Sequence, residues 1–418
     1  MIYIIHIPII IFLIVFFKKK FNLPTLEKYY YWAVAYKLTI GLALYALYVY
    51  YYKNNNLDTF YFLHACKTIT YLFQHDFNDF INLLFFGEIS SDYNFAFLFI
   101  DDTRSSFFIR LIWIFSYLSY ANPWLICAYL SLFCFFASWY LVVSLSKLSE
   151  KYTYIALFAF CVFPSTTLWS SGISKETVTI GCIYILISFV IRLVKLKYKI
   201  SFLQYLVSIS CFWFLWKIKF YYGAVLSISI ICYCILYYTQ KLSVIKKIIL
   251  SFSVLLCLFV LMRLVFPTFD TTLLLHVLYE SYSRNIENST AQSVVTYPFL
   301  PDWQSFLLNS PKALFSGLFR PFFWESKNIL HLIASLENII VLLLFIGALY
   351  FTIATKRHKA IKTHHWLPII LYCGVLAILI PLAAPNFGTL IRYKSAYLPI
   401  IIFACSALIE WKIMTRKF

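Results

Sequence analysis

Long uninterrupted apolar runs constrain this chain more than any motif in it. A helix needs about 20 apolar residues to cross the hydrocarbon core of a bilayer. A backbone in lipid must also satisfy its own hydrogen bonds, which leaves helices and closed barrels as the spanning structures. Eleven runs meet or approach that length: 2–17, 32–52, 122–144, 153–169, 177–191, 201–216, 220–238, 248–265, 329–355, 366–384 and 395–411. The sequence therefore predicts an all-α polytopic membrane protein with about 11 transmembrane helices. Composition agrees: 62% of residues are apolar and 12% charged, against about half and about a quarter in a soluble domain. A soluble enzyme, a disulfide-built secreted domain and a disordered chain are excluded. The 11 cysteines are scattered without a CxxC or a Cys/His cluster, so neither structural zinc nor a disulfide framework is expected.

The run 2–17 resembles the apolar core of a signal peptide. It is long for that role, no A-x-A site follows, and Lys18, Lys19 and Lys20 come next, so it reads as a retained anchor.

Charge gives an orientation. Lys and Arg number 35 against 17 Asp and Glu, a net charge of +18. The connections 18–28, 147–151, 192–199, 241–247, 356–365 and 412–418 hold 20 of the 35 cations. The alternate connections hold 13 of the 17 acids. Among apolar runs this pattern signals basic loops in the cytoplasm rather than a nucleic-acid surface, and no nucleic acid is expected as a partner. The short stretch Phe107–Ser119 contains Arg110 and reads as re-entrant or interfacial, because a full crossing would put Lys147 and Lys151 outside.

The chain reads as a single membrane domain, 1–418, without repeats. Two outer loops are long, 53–120 and 266–328, and long loops in compact proteins tend to be functional. In the first, Thr59–Phe73 and Phe77–Phe86 have helical apolar spacing and read as interfacial helices.

Four outer motifs can carry chemistry. Asp58, followed by Tyr61 and His64, opens the first loop helix, either as a helix cap or as a carboxylate free for a proton or a metal. Pro164 to Glu176 is a small polar turn ending in Lys175-Glu176 at the start of a span. Arg320-Pro321-Phe322-Phe323-Trp324-Glu325 reads either as an aromatic belt with a rim ion pair or as a guanidinium fixed for a phosphate. Arg392 and Lys394 are cations at the outer entrance of the last run, against the positive-inside bias, which suggests an anion to bind. Asp101, Asp102 and Arg104 are weaker candidates, a divalent ion on the paired acids being the alternative to no cofactor at all. Lys37, Arg110 and Arg263 read as snorkelling or paired cations, and Asn288-Ser289-Thr290 fits a glycosylation sequon.

With these motifs the chain resembles the GT-C superfamily of integral-membrane glycosyltransferases. It looks most like the bacterial branch of dolichyl-phosphate-mannose-protein-mannosyltransferase-like and lipid A aminoarabinose transferase-like proteins. The resemblance implies a GT-C-like fold, a polyprenyl-phosphate-linked sugar donor and transfer on the outer face of the bacterial cytoplasmic (inner) membrane. It implies Asp58 as catalytic base. The outer motifs themselves add Glu176 as a second catalytic carboxylate and His64, Lys175, Arg320, Glu325, Arg392 and Lys394 as the expected substrate-binding residues. No clean D-x-D stands in the first loop and no metal ligand is assigned. The acceptor is expected to be a lipid-linked or surface glycan, with membrane lipid as a further partner. The competing readings are an O-antigen-polymerase-like enzyme using Arg284, Arg320 and Arg392, a flippase or transporter of lipid-linked oligosaccharide, and a non-catalytic scaffold.

Overall fold

A computed structural model describes residues 2–52, 58–89, 102–265, 270–289, 293–326, 328–354 and 363–414. Among the described residues the regular elements are helical, with one isolated bridge between Val294 and Asn386. Asp92, Asp101 and Thr290 of the sequon lie outside the described residues.

Among the described residues seven helices are long and apolar enough to cross a membrane: Ile2–Lys20, Pro24–Tyr51, Pro123–Ser146, Lys175–Lys195, Phe202–Tyr238, Ile329–Ala354 and Trp366–Ala383. The bent pair Phe387–Lys394 and Leu398–Ile409 makes an eighth if it forms one span. The apolar runs alone suggest eleven, and the difference has local causes. The run 153–169 is not one helix: Tyr152–Leu157 widens into a π turn at Phe158–Val162, and Pro164 then starts a new short helix. Proline has no N–H to continue a helix but suits a first helical position. The runs 201–216 and 220–238 lie in Phe202–Tyr238, where two helices meet at a kink at non-helical Lys219 (φ −143°, ψ 76°), so the break between the two runs falls where the sequence puts it. The run 248–265 lies in the helix Val244–Val265, which is outside the seven.

The chain divides into two compact units, Met1–Gly223 and Ala224–Phe418. The first contains helices α1 (Ile2–Lys20), α2 (Glu27–Ala46), α3 (Asp58–His75), α4 (Phe77–Phe85), α5 (Thr103–Leu118), α6 (Pro123–Ser146), α7 (Tyr152–Leu157), α8 (Pro164–Trp169) and α9 (Lys175–Val190). It also holds the first part of α10 (Phe202–Tyr238). Helix α6 is its axis, with α9, α2, α7 and α5 packed along it. Asn122 starts α6 by accepting from Trp124 N (3.1 Å) and Leu125 N (3.3 Å), with Pro123 at the first helical position. Helices α2 and α6 meet closely because Gly41 has no side chain: a Cβ there would collide with the Ser131 hydroxyl. That hydroxyl in turn accepts from Gly172 N at 3.0 Å.

The second unit contains α11 (Val244–Val265), α12 (Thr271–Glu287), α13 (Trp303–Phe319), α14 (Ile329–Ala354), α15 (Thr363–Ala383), α16 (Phe387–Lys394) and α17 (Leu398–Met414). Helix α13 lies on α15, and α14 on α17. Gly317 lets α13 approach the Ala377 backbone so closely that any Cβ would overlap its carbonyl. Tyr397 donates to Gly317 O at 2.6 Å across the same contact.

Candidate functional site

The residues singled out from the sequence fall into two groups, one in each unit. In the first unit the organising feature is the start of α9. Gly172 adopts φ +78°, which ends the polar turn, and Ser174 caps α9 by accepting from Thr177 N at 3.2 Å. This projects Lys175 and Glu176 from the first helical turn in different directions.

Lys175 faces α5 and α3. Its Nζ donates to Ser105 Oγ at 2.5 Å and lies 3.5 Å from Asp102 Oδ2. It also sits 5.7 Å from the centroid of the Phe62 ring on α3. Asp102 caps α5 by accepting from Arg104 N (3.2 Å), and it also accepts from the Ser105 hydroxyl. Burial pushes the Asp102 carboxyl up, but Ser105, Lys175 and the backbone amides outweigh this and hold it below its ordinary value of 3.8.

Glu176 points the other way and is buried. Its Oε1 lies 2.6 Å from Lys219 Nζ, with both side chains about 5% exposed or less. The non-helical backbone at Lys219 thus coincides with a buried ion pair between α9 and α10. A buried pair of this kind fixes geometry more than it stabilises, because desolvation offsets the attraction. Glu176, expected as a catalytic carboxylate, is thus buried and paired with Lys219.

Asp58 opens α3 and is exposed. Its neighbour Thr59 is buried and donates to Ile173 O at 3.2 Å, one residue before the cap of α9. Phe62, one turn after Asp58 on the same face of α3, is the ring beneath Lys175. The first turn of α3 is therefore pinned to the α9 start through Thr59 and Phe62, with the Asp58 carboxylate exposed. His64 lies on the exposed side of α3. Asp102, Ser105 and Lys219 join this group through long-range contacts, which residue spacing does not show. For Lys219 one signal existed, a lysine interrupting an otherwise apolar run.

Two other cations of this unit have structural roles. Arg110 Nη1 donates to Leu83 O and Leu84 O, each at 3.1 Å, and so closes the end of α4. Lys37 Nζ donates to the Ser170 hydroxyl and to Thr167 O (3.4 Å), at the end of α8.

In the second unit, Lys394 is buried and its Nζ has three acceptors: Leu318 O (2.8 Å), Arg320 O (3.2 Å) and Asn338 Oδ1 (2.8 Å). Asn338 Nδ2 donates to Pro321 O at 2.9 Å. Lys394 and Asn338 together hold the turn that presents Arg320, so Lys394 has no proton left for a ligand. Arg320 Nε lies 3.3 Å from Glu325 Oε1, close enough to attract but not aligned as a hydrogen bond. Glu325 Oε2 accepts from Phe322 N at 2.9 Å. The ring of Trp324 stacks on Phe322 at 4.9 Å and is 77% exposed, as an interfacial aromatic would be. Tyr297, not apparent from the sequence, is buried near Arg320, and burial pushes its phenol up to about 12. Arg392 is half-buried, 5.3 Å from the Tyr393 ring.

Among the described residues no group of three or more His, Cys, Asp or Glu is placed to hold a metal ion. Comparisons with protein families, with curated protein sequences and with solved structures returned no match.

Proposed function

We propose that this chain is a membrane-embedded glycosyltransferase that moves a sugar from a polyprenyl-phosphate donor to a lipid-linked or surface glycan acceptor. The reading rests on the GT-C-like motifs and, above all, on the exposed Asp58 pinned through Thr59 to the start of α9 beside Lys175. In this reading Asp58 takes the proton of the acceptor hydroxyl as that oxygen bonds to the anomeric carbon. The bond from that carbon to the phosphate oxygen breaks, and polyprenyl phosphate leaves. Lys175 meets the developing negative charge. The buried Glu176–Lys219 pair and the Ser174 cap hold Lys175 in position. The acid-bearing loops face outward on this reading, in a bacterial cytoplasmic membrane.

The test uses purified protein in lipid nanodiscs, a labelled undecaprenyl-phosphate hexose and a lipid-linked acceptor. Wild-type protein transfers label, and Lys175→Gln lowers turnover by about tenfold or more. Lys175→Gln protein that transfers at the wild-type rate removes Lys175 from the mechanism.

A flippase is the second reading. What favours it is the buried polar set Glu337, Asn338 and Lys394, with Glu337 and Asn338 well inside α14. It predicts movement of lipid-linked sugar across vesicles with no new glycosidic bond.

A further inference from the structure

We propose a second binding site in the first unit: a receptor for the phosphate of an anionic phospholipid headgroup, built around Arg192 at the basic end of α6 and α9. Arg192 is only 6% exposed. Its Nε donates to Ser144 Oγ at 2.8 Å, whereas Nη2 is buried without a hydrogen-bond partner among the described residues. Its surroundings are aromatic. The guanidinium carbon lies 4.2 Å from the Tyr140 ring centroid, 5.7 Å from Phe21 and 5.9 Å from Tyr198.

A buried charge ordinarily has a counter-charge. Among the described residues no carboxylate pairs with Arg192. Helix C-termini favour cations through their dipoles, so positive charge here does not by itself demand a ligand. The unmatched Nη2 donor does, since a buried donor left unsatisfied is costly.

The local backbone is shaped to add a second cation. Helix α9 runs into a π turn at Ile191–Lys195, and Lys197 adopts φ +52°. The chain thereby folds back so that Tyr198 N donates to Arg192 O at 3.0 Å. Exposed Lys147, at the end of α6, places its Nζ 5.1 Å from the same Tyr198 ring. One ring is thus flanked by a buried guanidinium and an accessible ammonium, and among the described residues no carboxylate forms an ion pair with either. An Arg fork with a neighbouring Lys suits a phosphate. Leu193, next in the chain to Arg192, and Phe202 and Leu203 at the start of α10 are 39%, 83% and 58% exposed, apolar side chains suited to acyl chains. Basic pockets between helices on the cytoplasmic side bind anionic headgroups. The site does not depend on the transferase reading.

The test titrates the full chain in neutral detergent with phosphatidylglycerol, phosphatidylcholine or inorganic phosphate, following thermal unfolding and lipid retention by native mass spectrometry. Phosphatidylglycerol should raise the unfolding temperature saturably, and the other two should not. Lys147→Gln should weaken half-saturation by about tenfold, and Arg192→Gln should abolish the response. Equal responses to both lipids, or a phosphatidylglycerol response unchanged in Arg192→Gln, would overturn the proposal. A matching response to inorganic phosphate would assign the site to the free anion and overturn the lipid. Should Arg192→Gln not fold, Lys147→Gln decides, and half-saturation equal to wild type overturns the proposal.

Discussion

Carboxylates in this protein sit mainly where helices begin. Asp76, Asp102, Asp270 and Asp302 each accept a backbone N–H at a helix start, and Glu176 occupies the first turn of α9. Such caps are worth about 1 kcal/mol each. Asp102 also holds Lys175, and its depressed pKa fixes a pH dependence. A carboxylate whose folded pKa lies below its unfolded value near 3.8 contributes stability above that value, and the contribution is lost as pH falls through the folded pKa. The protection of α5 amides, taken relative to the intrinsic exchange rate at each pH, should therefore fall below about pH 4 in wild type. Asp102→Asn should show the lower protection already at neutral pH, with no further loss on acidification. Glu176 makes a different prediction. Removing one partner of a buried pair costs about 3–5 kcal/mol, while replacing both with apolar groups is near neutral. Glu176→Gln should lower the unfolding temperature in detergent sharply, and Glu176→Leu with Lys219→Met should recover most of it. Equal losses in the two proteins would contradict the bracing role. The start of α3 at Asp58 and the polar turn before α9 were legible in the sequence because caps and turns are local. The Lys219 partner was not, since 43 residues separate it from Glu176.

At the scale of elements, cations drawn into the fold finish helices. Arg110 closes α4, Lys37 the end of α8, and Lys394 the end of α13. Cations are favourable at helix C-termini, and in lipid the last carbonyls need a donor from the protein. The sequence shows these residues as isolated charges in apolar runs, without revealing which carbonyls they serve. Hydropathy likewise marked most of the long helices but not where the chain breaks within a run, which is why 153–169 reads as one crossing. Close helix contact is also a matter of packing. Gly41 on α2 faces Ser131 and Ser171, in the small-residue manner of membrane helix pairs. Gly41→Leu should destabilise the protein by about 1–3 kcal/mol or more through overpacking, read as a lower unfolding temperature in detergent. Gly374, with nothing near its Cβ position, should tolerate alanine.

The whole molecule consists of two units whose boundary, Gly223–Ala224, falls inside α10 rather than in a linker. No change of composition marks it, so the sequence reads as one domain. The membrane class and the helical architecture were plain from apolar content, because lipid leaves a chain few options. Chemistry was less legible, since a carboxylate at a helix start looks the same whether it caps or catalyses. Asp58 and Asp76 make that comparison within one protein, both being acids at helix starts after the second span. The most direct measurement is therefore the rate of sugar transfer by Asp58→Asn and Asp76→Asn side by side, each confirmed as folded. Asp58→Asn should lose about a hundredfold or more, with Asp76→Asn close to wild type. Equal, small effects in both proteins would contradict this, leaving Asp58 as a cap and the chain without its proposed base.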